Sequence, residues 1–368
     1  MQKIKVNLKK SPDRSYSINL ENGLFGQIPR FLQKSNYAGK YAIISDSNVS
    51  KLYGGKLVAN LKQSGIPAVL FTFKAGETSK SISTAEKLLN GLISKGFTRK
   101  DGIIALGGGI TGDIAGFVAS VFMRGIPFMQ VPTSLLAMVD SSIGGKTGVN
   151  LAGGKNLAGT FYQPRSVLID PELLKTLPKE ELINGFAEII KYGVIANDKL
   201  FRLLEKERNK VMSLNVEILN KIIIQCCKIK ASITEKDEQE SGLRMILNYG
   251  HTAGHGIEKL SSYKISHGRA IAIGMKIINK IAVNQHLLST MNELRINNLL
   301  KNYGLHDKFI EIFSTRNAPR KLWSIMQKDK KMHKSKIHFV IPIAIGKTKI
   351  YDGVTEKIFL ESFDNMSK

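Results

Sequence analysis

Three of the seven histidines of this 368-residue chain, His251, His255 and His267, fall close together. The first two stand four apart in Asn248-Tyr-Gly-His251-Thr-Ala-Gly-His255-Gly-Ile-Glu258, a spacing that puts both imidazoles on one helical face. Zn²⁺ and similar borderline metals favour imidazole with a carboxylate, and catalytic sites keep one position open for substrate. Glu188, in Gly185-Phe-Ala-Glu-Ile-Ile-Lys191, is the candidate carboxylate, because an apolar helix does not carry a bare charge without a partner. Spacing alone nominates His251 and His255 as the ligand pair.

Two further segments suit anions. Asp140-Ser-Ser-Ile-Gly-Gly-Lys-Thr-Gly-Val-Asn150 with Gly153-Gly-Lys155-Asn156 places Lys146, Lys155 and Asn156 among glycines, as a phosphate cradle would. It does not meet the P-loop spacing at Gly144-Gly-Lys-Thr147. Ile103-Ile-Ala-Leu-Gly-Gly-Gly-Ile-Thr-Gly-Asp113 reads as a strand, a glycine turn and a helix starting near Asp113. Its Gly107, Gly109 and Gly112 fit dinucleotide spacing. The acid expected about 20 residues further on is missing, since Gln130-Val-Pro-Thr133 stands there. Asp46, directly after the first strand, offers a ribose acceptor instead, and Gly76-Glu77-Thr-Ser-Lys80 adds a carboxylate and an ammonium. Each motif also has a plain structural reading: a solvated turn, a flexible surface loop, or core histidines.

The elements that must position these groups change character along the chain. Tyr41–Ser45, Ala68–Phe73, Gly102–Leu106 and Pro127–Val131 read as buried strands. Ser50–Ser64 and Ser79–Lys95 read as the helices between them, which predicts an α/β domain with a parallel sheet. After about Pro171 the periods become helical over Leu173–Lys210, Leu214–Ser232, His251–Leu260 and Gly268–His286. Only His338–Pro342 looks extended. The reading is therefore two domains, an α/β domain over 1–171 and an all-α domain over 172–368, with a ligand cleft between them.

Composition excludes several classes. The neighbours Cys226 and Cys227 are the only cysteines, too few for a disulfide framework and consistent with reduced core thiols in the cytoplasm. Charges at Lys3, Lys5, Lys9, Lys10, Asp13 and Arg14 leave no room for a secretory apolar stretch. The apolar run Ile110–Pro132 is cut by Asp113 and Arg124, so no membrane span is expected. A net charge of +24 raises the question of nucleic acid. The lysines are spread, however, without an aromatic-interleaved basic block, so the reading is a small anionic substrate and no nucleic-acid partner.

In chain order these pieces resemble the 3-dehydroquinate synthases, the cyclases of the shikimate pathway. The resemblance rests on Gly76–Lys80, Gly107–Asp113, Pro132–Asn150, Gly154–Asn156, Phe161-Tyr-Gln-Pro164, Gly185–Lys191, Glu240-Ser-Gly-Leu-Arg244, Leu247–His255, His267-Gly268 and Asp329-Lys-Lys331. It implies a fold similar to glycerol dehydrogenase and iron-type alcohol dehydrogenases: an NAD-binding α/β domain followed by an α-helical metal domain. It also implies NAD, one divalent metal (Zn²⁺, with Co²⁺ as an alternative), a homodimer and a sugar phosphate substrate. The implied reaction turns 3-deoxy-D-arabino-heptulosonate 7-phosphate into 3-dehydroquinate and phosphate. Alcohol oxidation comes first, then phosphate elimination, carbonyl reduction, ring opening and aldol closure.

Carried over by motif, the metal ligands are Glu188, His251 and His267, so that His255 moves to the substrate side. Lys146, Lys155, Asn156 and one of Lys330 or Lys331 are implied to hold substrate oxygens, and Arg124 to reach across the dimer interface. Lys230, Arg244 and Asn248 are implied around the substrate carboxylate and hydroxyls, with Asp140 and Lys191 as active-site polar groups. Asp140, Lys146, Lys191, His255 and Asn248 form the catalytic set. The NAD side takes Asp46, Glu77, Lys80, Gly108, Gly109, Asp113, Thr133 and Ser134, with Asp140 and Lys146 at its edge. The nearest rival is another NAD- and metal-dependent sugar phosphate cyclase. Those substrates lack a carboxylate and would leave Lys230 and Arg244 without an anion. An iron-type alcohol dehydrogenase would not need Lys146, Lys155 and Asn156.

Overall fold

The computed structural model of the chain describes residues 14–240, 242–305, 312–313, 317–332 and 337–363, with the backbone alone at 329–332. Its strands are β1 (Ser17–Leu20), β2 (Tyr41–Asp46), β3 (Ala68–Phe73), β4 (Gly102–Gly107), β5 (Phe128–Pro132), β6 (Lys146–Leu151), β7 (Gly154–Phe161) and β8 (Ser166–Ile169). Six of them form one parallel sheet in the order β1-β8-β5-β4-β2-β3. Three of the four apolar runs supply its centre, β5, β4 and β2, whose faces are both covered as a parallel sheet requires, and the fourth is the edge strand β3. Ala42, Ile44, Ile103 and Ala105 enter one core cluster, while Ile43, Ile104, Leu106 and Met129 enter a second that runs on into the helical half. β1 and β8 span four residues each, too short to show a period.

Within the sheet, β5-β4-β2-β3 has the 2-1-3-4 order of the flavodoxin-like winding, with the reversal between β2 and β4. Helix α1 (Gly109–Val121) leaves the sheet there, four residues earlier than the glycine pattern suggests, because Gly108 supplies the extended residue that starts it. A side chain at Gly112 would lie 2.5 Å from Gln130 Oε1, and one at Gly116 would lie 2.4 Å from Thr147 Cγ2. These glycines therefore let α1 lie close on β5 and β6.

Two expectations change. The glycine cradle is an antiparallel hairpin, with β6 paired to β7. Gly148 and Gly159 face each other across it, and a Cβ on Gly159 would meet Thr147 O at 2.2 Å. These glycines thus serve strand pairing rather than anion contact. The C-terminal half, in turn, is not wholly helical. After α2 (Lys179–Ala196), α3 (Val216–Lys236), α4 (His251–Leu260) and α5 (His267–Asn284), a second hairpin pairs β9 (Phe339–Ala344) with β10 (Lys347–Tyr351). Lys347-Thr-Lys-Ile-Tyr351 is largely polar and half-exposed, so it carries no apolar run to read. Among the described residues, no helix is long and apolar enough to cross a membrane.

The sheet hands over to the helices at Asp170. This buried carboxylate accepts hydrogen bonds from Gly23 N, Phe25 N and Glu172 N, each at 3.0 Å. It thereby starts the helix Leu24–Ser35 and the turn that leads out of β8. Asp170→Ala should lower unfolding stability by about 2–4 kcal/mol, since one buried and two part-buried N–H groups lose a charged acceptor. Chemical denaturation of both proteins measures it, and a loss under about 0.5 kcal/mol, the range of a neutral surface change, would show that water replaces the carboxylate.

Candidate active site

Glu188 sits in the middle of α2 with no exposed surface, while His251 and His267 are the first residues of α4 and α5. Close backbone contacts bring them together. A side chain at Gly274 would meet Gly250 O at 2.1 Å, so α5 crosses the start of α4 at contact distance. A side chain at Gly268 would meet Asn184 O at 2.4 Å, and Gly268 N donates to Asn184 Oδ1 at 2.6 Å. Asn184 lies one turn before Glu188, so the His267-Gly268 pair docks directly beside that carboxylate.

The imidazoles are oriented by what their far nitrogens touch. His251 Nδ1 lies 3.2 Å from Tyr249 O, and His267 Nδ1 lies 3.5 Å from Glu258 Oε2. Their Nε2 atoms then face Glu188 Oε1 at 3.3 and 3.5 Å. Burial disfavours a charge on Glu188, but the Lys191 ammonium and both imidazoles outweigh it and hold the carboxyl well below its usual range. Neither Glu188 oxygen accepts a well-aligned hydrogen bond. A buried carboxylate in that condition, between two oriented imidazole nitrogens, fits a divalent cation. Geometry thus groups Glu188 with His251 and His267, and sets His255 beside Glu258 and His267 instead. The pairing of His251 with His255 from spacing alone fails because helical spacing sets a face, whereas the third group comes from another helix.

Next to the carboxylate lies a second polar cluster. Lys230 Nζ donates to Asp140 O at 2.6 Å and to Asp140 Oδ1 at 2.8 Å, and the buried Tyr192 hydroxyl donates to the same Oδ1. Burial would raise Asp140, but Lys230 and Lys191 pull it down to about 2, so it is a carboxylate at neutral pH. Asp140, Lys230, Lys146, Asn156, Asp113 and Phe161 line a cavity of about 500 Å³.

Lys146, Lys155 and Asn156 do not share one anion seat. Lys146 and Lys155 stand at opposite ends of the β6–β7 hairpin, roughly 13 Å apart along a strand. Lys146 pairs with Glu240, which also accepts from Asn248 Nδ2 at 3.0 Å. Lys155 pairs with Glu258 at 3.3 Å and Glu77 at 3.7 Å and covers the Tyr263 ring. Asn156 accepts from Lys80, whose ammonium also reaches Asp113 at 2.5 Å. The groups bracket the cavity from both ends. Arg244 is buried with Nη1 on Glu238 O at 2.6 Å and Nη2 on Gly144 O at 3.2 Å, while its Nε–H has no partner among the described residues.

The crevice between β2 and β4 suits a dinucleotide. Asp46 ends β2 and accepts from Asn48 N, Val49 N and Thr111 Oγ1. No side chain caps α1, which leaves its first backbone N–H groups for an anion. A Cβ on Gly109 would lie 2.9 Å from Ser141 Oγ, and one on Gly108 would lie 3.3 Å from Ser134 Oγ. Thr133 N donates to Gly107 O, which closes the turn. Arg124 stands apart. It is exposed past the far end of α1, in left-handed backbone with Met123, about 16 Å along the helix from Asp113. Lys330 and Lys331 end the helix Ala318–Met332, and their side chains lie outside the described residues.

Sequence reasoning missed Tyr192, Glu240, Glu258 and Asn184. Glu258 had a signal: with His251 and His255 it completes an i, i+4, i+7 stripe on one face of α4. Tyr192 and Glu240 had none beyond adjacency to named motifs.

A sheet with its reversal at β2 and β4, joined to helices that group a carboxylate with two imidazoles, is the architecture found in solved sugar phosphate cyclases. A 2-epi-5-epi-valiolone synthase from Streptomyces hygroscopicus subsp. jinggangensis, solved with NAD+ and Zn2+ bound, superposes with a TM-score of 0.87 at 26% identity over 98% of each chain. A 2-deoxy-scyllo-inosose synthase, complexed with carbaglucose-6-phosphate, NAD+ and Co2+, gives 0.82 at 29% identity over 94% of this chain and 95% of that one. Sequence narrows the class. Residues 70–184 match the family model for the 3-dehydroquinate synthase N-terminal region, and residues 185–332 match the C-terminal one. A 3-dehydroquinate synthase from Prochlorococcus marinus (strain AS9601) is 45% identical over 95% of this chain and 97% of its own. The chain belongs to the 3-dehydroquinate synthase family.

The ligand geometry has a direct test. Equilibrium dialysis with Zn²⁺ or Co²⁺ should show His251→Ala and His267→Ala losing the ion at levels that saturate the wild type, and His255→Ala retaining it. Retention by His267→Ala together with loss in His255→Ala would reverse the assignment.

Proposed function

We propose that this chain acts as a 3-dehydroquinate synthase in the cytoplasm, as a homodimer using NAD and one divalent metal, Zn²⁺ or Co²⁺. The reaction converts 3-deoxy-D-arabino-heptulosonate 7-phosphate to 3-dehydroquinate and phosphate. NAD supplies transient hydride acceptance and return, and the metal supplies acidification of the reacting hydroxyl. The chain's residues position and neutralise. Asp46 and the start of α1 take the ribose and pyrophosphate, while Glu188, His251 and His267 hold the cation. Asp140, kept ionised by Lys230 and Lys191, holds the Lys230 ammonium and the Tyr192 hydroxyl at the cavity wall. Lys146, Lys155 and Asn156 bracket the substrate, with Asn248 and His255 beside them. Arg124 completes the site from a second copy of the chain.

The observation that carries this reading over another sugar phosphate cyclase is Arg244. Its buried Nε–H has no partner among the described residues, although two carbonyls already hold the guanidinium in place. A buried donor of that kind is costly unless a ligand uses it, and a carboxylate fits the Nε–Nη2 edge. A carboxylated sugar phosphate supplies that group.

Turnover by purified protein should require NAD and metal, release phosphate and form dehydroquinate without net NADH, because the hydride returns to the substrate. Stoichiometric NADH appearing with product would sink the cyclase reading in favour of a dehydrogenase. Arg244→Ala should weaken the carboxylated substrate by about 2–5 kcal/mol, and Arg244→Lys should recover only part, since charge returns but the fork does not. A sugar phosphate without the carboxylate should lose little more. Equal losses on both substrates, with a lowered melting temperature, would make Arg244 purely structural.

A further inference from the structure

Glu258 stands outside the metal trio, yet it is buried in the site, and besides orienting His267 it meets Lys155. It lies two turns along α4 from His251, on the same face. One of its oxygens lies 3.5 Å from His267 Nδ1, and the other lies 3.3 Å from Lys155 Nζ. The opposite nitrogen of His267 faces Glu188. A continuous path therefore runs from the tip of the β6–β7 hairpin, through one carboxylate and one imidazole, to the cation seat.

We propose that Glu258 is a positioning residue that fixes the His267 tautomer and couples metal affinity to the charge of Lys155. The inference rests on the metal reading of Glu188, His251 and His267. A carboxylate behind a ligating imidazole holds the ring orientation and strengthens it as a donor, and losing such a partner typically costs about 10–100-fold in metal affinity. Lys155 draws on the same carboxylate. While its ammonium sits on Glu258, less of that charge reaches His267. When an anionic substrate group draws Lys155 away, Glu258 turns wholly to the imidazole. Filling the hairpin end of the cavity thus tightens the grip on the cation.

Metal affinity, read by competition of Zn²⁺ or Co²⁺ against a chromophoric chelator, tests this without turnover. Glu258→Gln keeps the shape of the side chain and should weaken binding about 10–100-fold. Lys155→Met should tighten it on the order of 3–10-fold by removing a nearby positive charge. In the double variant the Lys155→Met effect should disappear, because its route through Glu258 is gone. Melting curves of the metal-free proteins should stay close together. A Glu258→Gln affinity within twofold of the wild type would overturn the proposal. So would a Lys155→Met effect of equal size in both backgrounds, which would mean simple charge repulsion. A third refuting result is a second, weaker equivalent of metal that Glu258→Gln removes while sparing the first, for then His255, Glu258 and His267 form a site of their own. Should Glu258→Gln unfold, Glu258→Asp takes its place: shortening the side chain should weaken binding and shrink the Lys155→Met effect, and a Lys155→Met effect of undiminished size there refutes the coupling. His267→Ala serves as control, since unimpaired binding there would overturn the metal reading itself and this proposal with it.

Discussion

A carboxylate with no exposed surface, Glu188, sets the terms for the helical half. Burying an ionised group is tolerable only when opposite charge and donors surround it. Every neighbour of Glu188 answers that requirement. Lys191 follows one turn later on the same helix, His251 and His267 arrive at the first residues of two others, and Asn184 anchors the second of these through Gly268. The glycines at 250, 268 and 274 leave the backbones close enough for this to happen. Three helices are thus locked in register by one charge. The same charge attracts the Lys191 ammonium that helps keep Asp140 ionised.

The sheet answers a different constraint. With β2 and β4 adjacent and their connections leaving in opposite directions, the ends of those strands open a crevice that no helix covers. Asp46 on one side and the uncapped start of α1 on the other give that crevice an acceptor and a row of donors. Gly108 and Gly109 stand against Ser134 and Ser141, so side chains there would fill the space a ligand backbone needs. The site is an absence of bulk, placed by topology.

How much of this was legible follows from what kind of pattern each part leaves. Buried central strands leave apolar runs, as at β2 and β4, and even the edge strand Ala68–Phe73 matches its run end to end. The helix His251–Leu260 is likewise matched, because its polar and apolar faces alternate cleanly. The hairpin β6–β7 was unreadable: its glycines suggest anion binding but serve close strand contact, and its exposed Leu151, Leu157 and Phe161 blur any alternation. The trio of Glu188, His251 and His267 could not be read from spacing alone: Glu188 stood out as a carboxylate in an apolar helix, but it lies 63 and 79 residues before the two histidines, and only the family resemblance put His267 in place of His255. Glu240 and Tyr192 act through contacts that no local pattern encodes.

The hairpin also explains how two sites built on different principles work on one molecule. Lys146, at its base, reaches Glu240 beside Asn248; Lys155, at its tip, reaches Glu258 behind His267; Asn156 reaches Lys80 and through it Asp113 on α1. One two-stranded element therefore touches the Asp140 cavity, the Glu258–His267 pair and helix α1. Its partners are mostly charged, and ion pairs whose members come from separate elements rearrange more readily than packed apolar contacts, which resist any change in volume. A ligand carrying two anionic groups, one for each end, would exchange these pairs for its own without disturbing the cores. The excess of lysine then has a local meaning at this hairpin: Lys146 and Lys155 are each held in position by protein carboxylates, Glu240 for the one and Glu258 with Glu77 for the other.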